Sequence, residues 1–315
     1  MPQPTPPSAA GRTMLLDSAS LYFRAFYGVP DTVRSPEGEP VNAVRGFLDI
    51  IARLVGEFGP ESLVACWDDD WRPRWRVDLI PSYKAHRVAR EVPGGVDVEE
   101  TPEALVQQVP VIREVLDALG LAIVGAAQHE ADDVIGTLAS RGDGPVDVVT
   151  GDRDLFQLVD DAHDVRVIYT ARGMSNLEVL TDEVVSGKYG VRPDQYADFA
   201  AMRGDTSDGL PGVAGVGEKT AAALLAEYGS LDGIRAAAAD DSSPMKPAVR
   251  ARFAAATDYL DVAPRVVEVV RDLDLPDVDA RLRRPTAEQR ETLDALAARW
   301  GLGGSLDRLL AALPD

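Results

Sequence analysis

The stretch VDVVTGDRD at 146–154 decides the fold. It sets three valines in a short run and then breaks into Gly151, Asp152, Arg153 and Asp154. A β-branched apolar run that ends on a glycine and two acids predicts a buried strand opening into a polar turn. The same design recurs outward from it. RTMLLD (12–17) ends on Asp17, SLVACW (62–67) runs into Asp68, Asp69 and Asp70, and LAIVG (121–125) is followed by HEADD (129–133). Helical spacing lies between these runs. Val41, Val44, Leu48, Ile51 and Val55 form one stripe, closed by Gly59 and Pro60. Leu105, Val109, Ile112, Leu116 and Leu119 form another, in which Pro110 is expected to make a kink. Short apolar strands alternating with helices predict an α/β fold with a parallel sheet covered on both faces.

Composition narrows the function. The chain has 315 residues, room for one or two domains, and a formal charge of −20 at pH 7. That excludes a basic coat protein, but not a nucleic-acid enzyme whose metal-binding carboxylates inflate the acid count. Cys66 is the single cysteine, which excludes a disulfide framework and a thiolate zinc site. His86, His129 and His163 are the three histidines, too few for a His-rich metal site. The opening MPQPTPPSAA (1–10) has no basic or apolar signal region and is expected to be a disordered tail. No run of 18 apolar residues occurs. The expectation is a cytoplasmic protein with no membrane contact.

Residues 71–101 interrupt the α/β pattern. Between 71 and 90, Arg72, Arg74, Arg76, Lys84, Arg87 and Arg90 face Asp78 alone. A solvated surface hairpin would look like this, and so would a positive patch that meets phosphates. After about residue 180 the strands give way to short Ala-rich helical pieces such as EKTAAALLAEYG (218–229). The expected divisions are an α/β domain at 11–180, a helical subdomain at 181–290 and a C-terminal helical segment at 291–315.

The acids carry the chemistry. Taken singly, an acid after a strand is an ordinary helix cap, and a Gly-Asp pair is an ordinary turn. Together they read differently, because the carboxyl ends of strands in an open parallel sheet share one crevice. Asp17, Asp68, Glu130, Asp132, Asp133, Asp152 and Asp154 would meet there, with Asp205 and Asp208 of GDTSDG (204–209) opening the helical part. So many carboxylates repel unless cations neutralise them. An oxygen-only set favours hard divalent ions, Mg²⁺ or Mn²⁺. Two or more such ions suit in-line attack on a phosphodiester.

LPGVAGVGEKTA (210–221) is the second signal. Gly212, Gly215 and Gly217 allow close backbone approach, and the loop runs into a helix near Glu218 and Lys219. Gly217 is followed by Glu218, so this is not a Walker A loop. The pattern resembles a helix-hairpin-helix element, which grips a DNA backbone without reading bases. An ordinary turn between two helices is the plainer alternative.

In this order, LLDSASLYFRAF, YKAHR, EADDVIGTLA, TGDRDLFQL and GDTSDGLPGVAGVGEKTA resemble the 5′ nuclease family. That family includes flap endonucleases and the 5′–3′ exonuclease domain of bacterial DNA polymerase I. The likeness runs from about residue 12 to 265 and is greatest to free-standing 5′–3′ exonucleases of actinobacteria. No polymerase domain is expected in a chain ending at Asp315. The resemblance implies a PIN-like sheet, a helical arch at about 71–101 and a helix–three-turn–helix module. It implies divalent-metal hydrolysis of DNA, and of primer RNA, at 5′ ends and flaps during replication and repair. By motif position, the nine acids named above match the metal site. Lys84 and Arg87 match catalytic arch positions, three apart and therefore on one face if the arch is helical. Arg24, Arg76 and Tyr83 match DNA-contacting positions, with Tyr83 placed to stack on an unpaired base. Gly212, Gly215, Gly217, Lys219 and Thr220 match the duplex-binding hairpin, where relatives often hold K⁺. Gly209 stands where the family pattern often has Asn. The expected partners are flapped, nicked or branched DNA and RNA–DNA hybrids, bound by a monomer.

Two other classes fit less well. A haloacid-dehalogenase-like phosphatase would place its paired acids after the first strand, and would leave the hairpin without a purpose. A non-catalytic DNA-structure binder would have lost metal-site acids, and none is lost.

Overall fold

The computed structural model describes residues 11–141 and 144–314, so the expected disordered tail at 1–10 lies outside it. The strands are β1 (Thr13–Asp17), β2 (Ser62–Trp67), β3 (Val88–Arg90), β4 (Val98–Glu99), β5 (Ala122–Gly125), β6 (Val146–Thr150), β7 (Val165–Tyr169) and β8 (Glu178–Leu180). β3 and β4 pair only with each other. The other six form one sheet in the order β5-β2-β1-β6-β7-β8, parallel except for β8 against β7. The chain moves outward from β1 through β2 to β5, then starts β6 on the other side of β1. That reversal puts the switch point, and its crevice, at the carboxyl ends of β1 and β6.

All four apolar runs read from the sequence are strands. β7 and β8 were not foreseen: VRVIY alternates an arginine into its apolar run, and three-residue β8 is too short to stand out. Arg166 of β7 reaches into the core. With Arg12 it holds Asp147 of β6, which is fully buried, through contacts of 2.6 and 3.0 Å. A lone charge there would be costly, and the pair of guanidinium groups offsets it.

The helix Asn42–Phe58 buries one long face and stops where Gly59 turns left-handed at φ 56°. Pro110 follows a break in the expected stripe, which divides at Gln107 into the helices Glu103–Val106 and Gln108–Leu119. It sits in the first turn, where backbone N–H groups have no helical partner anyway. Gln108 starts the helix Gln108–Leu119 and joins it to Asn42–Phe58, accepting Ala43 N–H at 2.8 Å and donating to Asn42 Oδ1 at 3.0 Å.

The insertion at 71–101 is less helical than expected. It holds the short helix Arg74–Leu79, a 3-10 turn at Ala85–Arg87 and the β3–β4 hairpin. Lys84 precedes the turn in the left-handed region, at φ 47°. Lys84 and Arg87 therefore do not share a helix face. The helical part begins with Asp182–Tyr189 and continues to Ala263–Val267. Phe156, from the turn after β6, packs its ring against Tyr189 and Tyr196 and so joins the two parts.

The C-terminal residues are not an appendage. After Val267 the chain returns to the sheet, where Ala280 O accepts Leu63 N–H at 2.8 Å and Leu282 N–H reaches Glu61 O at 2.9 Å. The helices Ala287–Trp300 and Gly303–Ala312, with Leu302 of the turn between them, then place Leu293, Leu302, Leu306 and Leu309 in the same core as Leu16, Leu48 and Ile51. Leu309→Ala should cost about 2–5 kcal/mol of stability. The lower melting temperature should come with no loss of the protein's activity at 25 °C, because Leu309 packs in the core and lines no part of the strand-end crevice.

Candidate active site

Each acid is placed by a short local device. Asp17 caps the helix Ser18–Gly28: its Oδ1 accepts Ser20 N–H at 3.1 Å and its Oδ2 accepts the Thr150 hydroxyl at 2.6 Å. The second bond ties the ends of β1 and β6. Thr150 Oγ1 accepts Asp152 N–H, and Asp152 Oδ1 accepts Asp154 N–H, both at 2.9 Å. Asp68 Oδ1 accepts Ala131 N–H at 2.7 Å, which positions the helix Ala131–Ser140. Asp17, Asp68, Glu130, Asp132, Asp152 and Asp205 line a cavity of about 510 Å³ with Lys84 and Arg87. Asp154 and Asp208 line a small recess that shares Glu130 and Asp132 with it.

The electrostatics follow from this burial. Burial, with the charges of Asp68 and Asp152, pushes the Asp17 carboxyl up to about 7 against the opposing bonds from Thr150 and Ser20. Asp68, Asp132, Asp154 and Asp208 are also raised, first by burial and further by neighbouring carboxylates. Asp205 is the exception. Burial pushes it up, but the Ser207 hydroxyl and N–H and the Arg203 guanidinium together bring it below the usual range. Buried Lys84 stays charged because the Glu130 carboxylate outweighs its loss of solvent.

This donor set fits hard divalent cations. It is all oxygen, it is desolvated, and Asp154 Oδ1 is buried with no hydrogen-bond partner among the described residues. The carboxylates surround the space without three of them closing on one point, among the described residues.

Four expectations change. Asp133 does not face the cavity; it is fully buried and its carboxylate is held by Arg76 at 2.7 and 2.8 Å. Arg76 is therefore no phosphate contact, being 3% exposed. Tyr83 cannot stack on a base, since its ring is buried and its hydroxyl donates to Glu130 Oε1 at 2.7 Å. Arg24 lies beside Gly151 and lines a neighbouring apolar cleft instead of the carboxylate cavity, with its Nε buried and without a hydrogen-bond partner among the described residues. Lys84 and Arg87 do reach the site despite the missing helix: Lys84 pairs with Glu130, and Arg87 with Asp208 at 2.9 Å. Sequence reading missed Thr150, which reads as a strand end, and Glu99, which lines the cavity from β4. Nothing local in the sequence marks either.

Gly209 has a clear structural reason. Its φ is +71°, and a Cβ there would lie 2.0 Å from Ser82 O. The turn at 205–210 seats the base of the insertion: Ser82 Oγ donates to Gly209 O at 2.7 Å and Lys84 N–H to Asp208 O at 2.9 Å. The hairpin follows, with Gly212 and Gly215 at φ 65° and 75° and Gly217 capping the helix Glu218–Tyr228. Lys219 is exposed at its start, beside Thr220. Gly215 O accepts from the Arg252 guanidinium at 2.9 Å, so a positive charge already stands there.

The sheet, the acid-lined cavity and the hairpin define a nuclease made of a resolvase-like α/β domain and a helical SAM-like domain. Residues 12–190 match the 5′-3′ exonuclease N-terminal resolvase-like domain, and residues 191–290 match the 5′-3′ exonuclease C-terminal SAM fold. The chain belongs to the 5′–3′ exonuclease family. It is 60% identical to a 5′-3′ exonuclease of Streptomyces coelicolor, over 95% of this chain and 99% of that protein. It is 50% identical to one of Mycobacterium tuberculosis, over 95% and 97%. Among solved structures, T5 D15 protein co-crystallised with metal ions superposes with a TM-score of 0.64 at 17% identity, covering 95% of this chain and 97% of that one. The catalytic core of Rad2 with DNA substrate gives 0.57 at 16% identity, covering 97% and 92%. These two likenesses concern the fold. The family membership sets aside the phosphatase alternative.

The raised Asp17 carboxyl has a pH signature. Unfolded, it ionises near its ordinary value of about 4; folded, near 7. Between those values the folded state binds more protons, so its contribution to stability falls as pH rises and is fully lost above about pH 7. In chelator, Asp17→Asn should therefore raise the melting temperature at pH 8 and do so much less at pH 4.5. An equal effect at both pH values would contradict the assignment.

Proposed function

We propose that this protein is a divalent-metal-dependent 5′–3′ exonuclease and structure-specific 5′-flap endonuclease. Its substrates are DNA flaps and nicked or branched duplexes, and the RNA of RNA–DNA hybrids, cut by a monomer in the cytoplasm. The observation that carries this reading is the crowding of nine carboxylates, Glu99 included, around the cavity and the recess that shares its lining, with Lys84 and Arg87 among them.

Asp17, Asp68, Asp132, Asp152, Asp154 and Asp208 would hold the ions, with Glu130 and Asp205 beside them. Two or more bound Mg²⁺ or Mn²⁺ ions would supply the charge that draws in a phosphodiester and activates water. Lys84 and Arg87 supply fixed positive charge at the same place, set to offset charge that grows on the phosphate in the transition state. The hairpin presents backbone N–H groups and Lys219 to the phosphates of the duplex, which positions it without reading sequence. A potassium ion at the hairpin would compete with Arg252 for the Gly215 carbonyl.

A 5′-flap oligonucleotide incubated with Mg²⁺, Mn²⁺ or EDTA tests the reading. Cleavage with either ion, leaving a 5′-phosphate and a 3′-hydroxyl, is expected, with none in EDTA. Undiminished cutting in EDTA would overturn metal dependence, and flap binding without cutting in any ion would leave only a DNA-structure binder. Asp152→Asn should slow the reaction at least ~100-fold, about 3 kcal/mol of barrier, while keeping most of the duplex affinity.

Lys219→Ala should act on binding instead. It should weaken duplex affinity equally for every sequence and lower the salt dependence by roughly one phosphate contact. Measured affinities that fall for one sequence only would contradict a hairpin that reads backbone.

A further inference from the structure

Asp133 and Arg76 form a closed unit behind the cavity. Both side chains are almost wholly buried. Asp133 Oδ1 accepts from Arg76 Nη2 at 2.7 Å and from Val270 N–H at 2.9 Å. Its Oδ2 accepts from Arg76 Nη1 at 2.8 Å and from Glu130 N–H at 3.3 Å. Four donors use up the roughly four lone-pair positions of a carboxylate. A metal ligand needs one of those free.

Arg76 spreads the contact further. Its Nε donates to Val266 O at 3.1 Å, and its Nη1 also donates to Glu130 Oε1 at 3.0 Å. Glu130 in turn takes the Tyr83 hydroxyl at 2.7 Å and the Lys84 ammonium. One buried ion pair thus joins three segments far apart in sequence. These are the base of the insertion, the start of the helix at Ala131, and the strap that leaves the helical part at 266–270.

We infer that Asp133 is not a metal ligand but, with Arg76, a positioning pair. The pair fixes Glu130 and the base of the insertion that carries Lys84, and ties both to the strap. The inference rests on the nuclease reading above. Its functional weight comes from the sensitivity of catalysis to placement, since a shift of about 1 Å can cost ~100-fold in rate.

The test compares Asp133→Asn, Arg76→Lys and their double variant with the parent and with Asp132→Asn. Three quantities are read: Mg²⁺ affinity by calorimetry without DNA, single-turnover flap cleavage across a Mg²⁺ series, and melting temperature. Asp133→Asn should bind Mg²⁺ within about twofold of the parent yet cleave roughly 10- to 100-fold more slowly at saturating Mg²⁺. Arg76→Lys should slow cleavage similarly, and the double variant no further than either single one, as expected of residues that act as a unit. Asp132→Asn should instead weaken Mg²⁺ binding about tenfold or more. Weakened Mg²⁺ binding in Asp133→Asn, with activity recovered at high Mg²⁺, would make Asp133 a ligand and overturn the inference. Lower melting temperature with an unchanged rate per folded molecule would overturn it in favour of a purely structural pair. If Asp133→Asn does not fold, Tyr83→Phe removes only the hydroxyl bond to Glu130. It should slow cleavage with Mg²⁺ affinity and melting temperature kept, and an unchanged rate would overturn the inference. A parent that neither binds Mg²⁺ nor cleaves would sink the nuclease reading itself, an outcome separate from all of these.

Discussion

Carboxylates gathered at one end of a parallel sheet repel one another, and the surroundings of β1 and β6 are built against that repulsion. Two unit charges about 5 Å apart interact by roughly 3 kcal/mol at an effective dielectric of about 20. Several such pairs rival the whole stability of a domain. The protein answers with hydrogen bonds where it can: Thr150 and Ser20 on Asp17, Ala131 N–H on Asp68, Ser207 on Asp205. It answers with cations elsewhere, Lys84 on Glu130 and Arg87 on Asp208. Asp154 keeps an oxygen without a hydrogen-bond partner among the described residues, and burial with neighbouring carboxylates holds Asp154 and Asp132 above the usual range. A site left short of positive charge in this way suits divalent ions and the phosphate they attract.

The same electrostatics organise the insertion. Its base is not free to wander, because Lys84 and Arg87 are drawn to acids and Ser82 and Lys84 bond the turn at 205–210. Glycine at 209 lets the two backbones meet where a side chain would intervene. Arg76 and Asp133 close the back of this arrangement and attach it to the strap. The cations that could engage a substrate thus stand on a support made from three parts of the chain.

The two domains are likewise held together by return contacts. Phe156 carries an aromatic cluster from the end of β6 into the helical part, and the strap carries the chain back to the sheet. The last two helices complete the core over Asn42–Phe58, so chain order and spatial domain differ. The hairpin with Lys219 and the carboxylate cavity are therefore fixed relative to each other by packed apolar surface on both sides.

What the sequence determined by itself was periodic or local. Apolar runs at 12–17, 62–67, 121–125 and 146–151 specify buried strands, because solvent exclusion depends on composition over a few residues. Acids placed directly after those runs, such as Asp17, Asp68 and Asp152, reach the crevice because a parallel sheet aligns its strand ends. The glycines at 212, 215 and 217 announce their hairpin through the same short-range logic. Tertiary structure alone decided the rest. Asp132 and Asp133 are adjacent on one helix turn, yet one faces the cavity and the other faces Arg76, and no pattern within EADD separates them. Arg76 and Tyr83 look like substrate contacts in a basic, exposed insertion, but the strap at 266–270 covers Arg76 and Glu130 takes both. Whether such a side chain meets solvent or a buried partner depends here on residues 47 to 190 positions away, and that information enters only when the chain closes on itself.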